Sequence, residues 1–298
     1  MTAVHVQPGV RVLPESEWKR LEREHEHQVD AWTAGRRARA PRGERHPVDD
    51  FLWTYYSHRP SRLRRWHPGA GVVLAGAAAA PRTGWRWYRA VDGGVAMDVD
   101  GFLAARGDLV RSVRDLLAAT AGRPAQLGCF GLHEWAMVYG LRPGQQRHED
   151  WPLRLTQRET DAVVESQPVR CTHFDAFRFF TPPARGLNSV QPSRAGQVEL
   201  EQPGCLHAAM DLYKLSYKLT PAAPSALVRR CFTLAREARE LDMRASPYDL
   251  STLGLSPVPV ETPAGRAQYV AGQRGFSERG QVLRGELLGV CDRLLKPA

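Results

Sequence analysis

The chain has 298 residues, 43% of them hydrophobic and 24% charged, with a formal net charge of +9. That balance is the composition of an ordinary globular protein, long enough for one large domain or two modest ones. The longest apolar run, 69–80, is too short to span a bilayer, and the first twenty residues carry no basic segment followed by an apolar core. The sequence is therefore read as cytoplasmic, with no membrane partner.

Residues 14–34 read as an amphipathic helix with Ser16 as N-cap and Trp18, Leu21, Val29 and Trp32 as its apolar positions. A Gly/Arg/Pro-rich linker, mobile without a ligand, is expected over 35–45. Pro47 starts a short buried helix that ends before Pro60. The runs VVLAG, WRWYRAV and VAMDV between 70 and 99 predict a small β element, with VDGG at 91–94 as a hairpin turn. Helical spacing returns from Asp100 to Ala121. CFGLHEWAMVYG (129–140) reads as a loop entering a short helix. Thr156 and Glu159 form a capping-box pattern for a helix to Ser166. VRCTHFDAFRFF (169–180) reads as a strand or extended segment, and 181–203 as a long loop of the kind that is usually functional. Four further helices are expected over 205–219, 224–243, 263–273 and 276–295. The fold class is mainly α with a small β element (α+β). It is read as a single compact domain over 46–298 with an N-terminal helix and basic linker over 1–45.

Five scattered cysteines with no C-x-x-C pair argue against a disulfide framework or a zinc knuckle. The basic residues are almost all arginine, and their placement is uneven. Nine arginines stand between Gly35 and Trp66 against three acids, a local excess of six within a whole-chain excess of nine. The same stretch, HPVDDFLWTYYSHRPSRLRRWHPG, interleaves Trp53, Tyr55, Tyr56 and Trp66 with Arg59, Arg62, Arg64 and Arg65. Aromatic faces stack on bases and guanidinium groups neutralise phosphates, so this segment is a candidate DNA-binding surface. The alternative is a solvated basic face over core aromatics.

Three histidine–acid pairs recur: His133-Glu134, His173-Phe174-Asp175, and His207 with Asp211 four residues on. On a strand His173 and Asp175 share a face, and on a helix so do His207 and Asp211, with Lys214 and Lys218 continuing the stripe. Helical neighbours such as His133 and Glu134 diverge by about 100° and are not expected to share a target. One reading is an iron or zinc site built from His173, Asp175 and His207, with His133 or Asp211 in support. The other is hydrolysis of an N-glycosidic bond, in which a flipped base sits among aromatics and a carboxylate stabilises the cationic sugar or activates water. The candidate carboxylates are Asp175, then Glu134, Asp211 and Asp50. The nearby aromatics are Trp135, Tyr139, Phe174 and Phe177. A non-enzymatic nucleic-acid-binding module is the third reading. Phosphate-loop, dinucleotide, zinc-protease and nucleophile-elbow motifs are absent; in GLHEWAM, Met137 stands where the zinc-protease motif needs histidine.

The segments HPVDDFLWTYYSHRP, RLRRWHPG, CFGLHEWAMVY, CTHFDAFRFFTP, EQPGCLHAAMDLYK and LDMRASPYDL resemble a bacterial family of this length. Its members are commonly named 3-methyladenine DNA glycosylases, of a type without the helix-hairpin-helix. The resemblance runs over about residues 46–290. It implies a DNA-repair enzyme that excises alkylated purines by base excision, with DNA as partner and no cofactor, and the chain is expected to be a monomer. It assigns no catalytic residue.

Overall fold

The computed structural model describes residues 11–142, 145–146 and 151–296. In chain order the regular elements are β1 (Arg11–Leu13), α1 (Glu15–Arg39), α2 (Phe51–Tyr55), α3 (Pro60–Leu63), β2 (Val72–Ala75), β3 (Tyr88–Val91), β4 (Gly94–Met97) and α4 (Val99–Ala121). There follow α5 (Leu132–Ala136), α6 (Gln157–Glu165), α7 (Phe174–Phe177), α8 (Pro182–Arg185), α9 (Gln197–Leu200), α10 (Leu206–Lys218), α11 (Ser225–Arg244) and α12 (Pro263–Leu295). The fold is mainly helical with one small sheet. The chain divides into two units. The first comprises 1–117, 213–232 and 285–298, and the second 118–212 and 233–284.

In the first unit the strands run in the order β1-β2-β4-β3. The tight Asp92-Gly93 turn, with Gly93 at φ 79°, joins β3 to β4 as an antiparallel hairpin that pairs Val91 with Gly94. β2 pairs antiparallel with β4, and β1 lies parallel to β2. Alternation puts Leu13, Leu74 and Val95 into one cluster with Trp18, Trp66 and Tyr88. Arg82 is buried in the same region, its guanidinium 5.0 Å from the Trp18 ring, 5.3 Å from Trp66 and 5.3 Å from Trp85. Glu22 pairs with it, so the buried charge is compensated.

Helix α1 runs five residues past its expected end, straight through Gly35. The cost of a mid-helix glycine is about 1 kcal/mol. It is met at the C-terminus, where Arg39 pairs with Asp50 at 2.9 Å and Asp49 at 3.6 Å. Part of the expected linker is therefore helix, and Ala40–Arg42 continues it as a 3-10 turn. Pro60 opens α3 as its first residue instead of only closing the preceding turn.

In the second unit the capping box of α6 is present in full, with the Thr156 side chain accepting from Glu159 N and the Glu159 carboxylate accepting from Thr156 N. The segment expected as a strand is not one. Val169 makes a single bridge to Asn188, and Phe174 to Phe177 forms a helical turn. Its aromatics at 174, 177 and 180 follow a helical spacing of three. The loop 181–203 carries the two short turns α8 and α9. The two patterns at 263–273 and 276–295 are one helix of 33 residues, α12. Buried Tyr269, Gln273, Ser277, Leu283, Leu287, Val290 and Leu294 recur along it at helical spacing, which outweighs the break at Arg274-Gly275.

Candidate metal centre

The sequence builds α5 from a left-handed turn. Phe130 (φ 49°) and Gly131 (φ 74°) both have positive φ, and a side chain at 131 would meet the Tyr269 ring at 3.2 Å. The turn delivers His133 and Glu134 into the interior of the second unit, both buried. They diverge around α5, as neighbours on a helix must, yet α11 reaches both. His133 Nε2 is 2.7 Å from Asp242 Oδ1. Arg239 donates to Glu134 Oε1 at 2.7 Å and to Asp242 Oδ2 at 2.9 Å. His133 and Glu134 thus meet different residues, Asp242 and Arg239, and the Arg239–Asp242 pair links the two.

Burial opposes a charge on His133, but the Asp242 carboxylate, aided by Cys129, overrides it and holds the imidazole well above its ordinary pKa. Burial likewise pushes Asp242 up, and His133 and Arg239 more than reverse it. An imidazolium, a guanidinium and two carboxylates therefore form a charge-balanced, hydrogen-bonded set.

A second group lies on three other segments. The Asn188 amide clamps the backbone of Cys171, donating to its carbonyl at 2.9 Å and accepting from its N–H at 2.7 Å, which sets the chain two residues before His173. The buried turn Glu201-Gln202-Pro203-Gly204 is fixed by Gln202 Oε1, which accepts from Gln126 N at 2.9 Å and Gly204 N at 2.7 Å. Only glycine fits at 204, because a Cβ there would stand 2.5 Å from the Gln126 carbonyl oxygen. Helix α10 then places His207 and Asp211 one turn apart, both buried. His173 Nε2 is 3.3 Å from Asp211 Oδ2 and 3.7 Å from Glu201 Oε2.

His207 connects the groups. Its ring lies 4.7 Å from His133 and 5.2 Å from His173, centroid to centroid. Burial, then the two flanking histidines, hold it well below its ordinary pKa, so it is neutral. The Nδ1 atoms of His173 and His207 are buried with no hydrogen-bond partner.

Two sets of three side chains offer converging ligand atoms: His133, His207 and Asp242; and His173, Glu201 and Asp211. Their spacings differ. Ligands at about 2.1 Å from a tetrahedral ion stand about 3.4 Å from one another. The 3.3 and 3.7 Å separations around His173 match that edge. The 2.7 Å between His133 and Asp242 is instead a charge-assisted hydrogen bond.

Asp175, a shared candidate of the metal and glycosylase readings, is in neither set. It does not share a strand face with His173; it pairs with Arg178 at 3.3 Å and Arg194 at 3.1 Å. Asp50 is bound by Arg39 and by the N–H of His46. Trp53, Trp66, Trp135 and Phe177 are core residues. The Trp135 indole donates to Ala245 O at 2.8 Å, and Trp53 packs 5.0 Å from Phe232. Phe174 lies under Arg194, and Tyr139 donates to Glu165. Tyr55 stacks on Phe51, and Tyr56 is half-buried beside Tyr213. Lys214 lies 5.7 Å from the Tyr56 ring. Arg59, Arg62 and Arg65 are exposed, whereas Arg64 is held by Asp30 and Glu26. Arg244 ties the turn after α11 to the Ser256 carbonyl.

Sequence reasoning missed Asp242, Arg239 and Glu201. A signal for the first two was present: they continue the buried stripe Val228, Phe232, Ala235 and Ala238 of α11, where charge has no place unless partnered. Comparison with family models, curated proteins and solved structures finds no match to this chain.

Proposed function

We propose that the second unit is a metal-dependent enzyme centre in which His173, Glu201 and Asp211 hold one divalent ion and act on a small substrate. The supporting observation is the placement of two carboxylates around His173 Nε2, Asp211 in a long hydrogen bond at 3.3 Å and Glu201 at 3.7 Å, spacings that also suit ligands of a common ion. One imidazole and two carboxylates form a mixed N/O donor set that suits iron, manganese or zinc. Three protein ligands leave positions for water and substrate, as catalytic sites do. Such an ion, when bound, supplies Lewis acidity and lowers the pKa of a coordinated water. The chain supplies orientation: Gln197 Nε2 donates to Glu201 Oε2 at 2.7 Å, and the Thr120 hydroxyl donates to Oε1 at 3.3 Å.

The test is the metal content of the purified protein, with and without added ion. Stoichiometric iron, manganese or zinc that is lost in Asp211→Asn supports the reading. Protein that holds none of the three and does not bind them when added overturns it. So does release of 3-methyladenine from methylated DNA by metal-free protein, which would return the site to the base-excision reading.

A further inference from the structure

Two cavities of the first unit differ in electrostatic character. The larger, about 640 Å³, is lined by Glu15, Glu22 and Glu26 as well as by cations. There the charges pair off: Lys19 with Glu15, Arg82 with Glu22, and Arg64 with Glu26. The smaller, about 460 Å³, is lined by Arg62, Arg65, Arg86, Arg106 and Lys218, and none of the described residues lining it is a carboxylate. Among the described residues, Arg62, Arg65, Arg86 and Arg106 form no ion pair, whereas Arg20, Arg42 and Arg64 of the same unit each pair with an acid.

The arginines of this smaller cavity are not loose. Arg86 lies 4.4 Å and Arg106 5.2 Å from the Trp87 ring, and Arg65 lies 5.0 Å from the Trp85 ring. A guanidinium held over an indole ring has fewer orientations to lose when it binds, which is the pre-organisation that phosphate recognition needs. The cavity wall also carries Tyr217, half-buried and stacked on His58 at 3.7 Å and 15°. The pKa of His67, on the same wall, is lowered to about 3, by burial first and then by neighbouring cations that include Arg82 and Arg65.

We infer that this cavity binds a nucleoside phosphate, its phosphate held by the stacked arginines and its base against the aromatic wall. The charge calls for a ligand with more than one negative charge, because four unpaired guanidinium groups on one cavity remain mutually repulsive until an anion compensates them. Tyr217, half-buried and stacked on His58 by one face, offers its ring to a flat group on the same ligand. The volume falls in the range of small-molecule sites and holds one nucleotide unit. This assignment is independent of the metal centre.

The experiment is titration calorimetry on the full chain with ADP, adenosine, inorganic phosphate and a single-stranded oligonucleotide. ADP is expected to bind, and adenosine and phosphate each to bind about tenfold more weakly or worse. Arg86→Gln with Arg106→Gln should weaken ADP about tenfold or more, while Arg42→Gln, whose partner Glu44 lies on another surface segment, leaves it unchanged. Circular dichroism of the double variant separates lost binding from lost fold, and quenching of tryptophan emission by ADP in the unaltered protein gives a second readout. Absence of ADP binding at millimolar concentration overturns the inference. Phosphate binding as tightly as ADP overturns the role of the ring. Binding of the oligonucleotide alone assigns the surface to a nucleic-acid strand instead.

Discussion

His133 and Asp242 stand 109 residues apart in the chain and 2.7 Å apart in space, joined by a buried imidazole–carboxylate hydrogen bond. Arg239 extends the bond to Glu134, so that four buried charged groups neutralise one another. Removing one member leaves the others buried and uncompensated.

Arg239→Met is therefore expected to cost about 3–5 kcal/mol of stability, far more than an exposed arginine change. The denaturant midpoint should fall with the slope of the transition unchanged. A loss within experimental error would show that the network is not holding the second unit together.

The ligand set found in the structure and the one expected from sequence spacing differ in what they predict for metal content. Asp211→Asn and His173→Gln should reduce bound metal to background while leaving far-UV circular dichroism intact. Asp175→Asn should keep the full metal complement, since Arg178 and Arg194 hold that carboxylate in place. Equal metal loss in all three would shift the centre toward the pattern expected from sequence spacing alone.

Much of the framework was legible in the sequence because it depends on local rules. The hairpin at 91–94, α4 and the α6 capping box follow from turn chemistry and periodicity within one window. Three kinds of feature escaped. The run at 170–173 was misread because Asn188, from a later loop, takes up the backbone groups of Cys171 that a sheet partner would have taken. The length of α12 was misread because a glycine looks like a break until burial along the rest of the helix is known. Of the centre, His133, His173, His207 and Asp211 were legible as polar residues in apolar surroundings, whereas Glu201 was hidden in what read as a loop. Asp175, expected on one strand face with His173 and between Phe174 and Phe177, is taken elsewhere by the helical turn at 174–177.

Acid should destabilise the first unit through a buried histidine. His25 is fully buried with Nε2 2.6 Å from the Leu63 carbonyl, and burial, reversed only in part by that hydrogen bond, lowers it from 6.5 to about 4. A histidine whose folded pKa lies below its unfolded value binds fewer protons when folded. Its contribution is complete above pH 6.5 and declines as the pH falls toward about 4. Within that window the slope is roughly 1 kcal/mol per pH unit for each such group. Urea midpoints measured across the window should fall with acid, and His25→Gln should flatten the fall. A midpoint independent of pH there would contradict the buried neutral state.

Thr156→Ala removes one half of a reciprocal cap whose other half is Glu159. The expected cost is about 1 kcal/mol, read as a small drop in the thermal midpoint. Glu159→Gln, which can still accept from the Thr156 N–H, should cost less.

The division into two units carries a spectroscopic consequence. Trp18, Trp32, Trp53, Trp66, Trp85 and Trp87 fall in the first unit, and only Trp135 and Trp151 in the second. Intrinsic fluorescence of this protein is thus weighted toward one part of the chain, while the helical ellipticity is drawn from both. An emission-detected melt describes the surroundings of Arg82 and the small sheet. Events at His173 and Asp242 register in it only through two indoles, and coincidence of the emission and ellipticity curves is what would license a single two-state description of the whole chain.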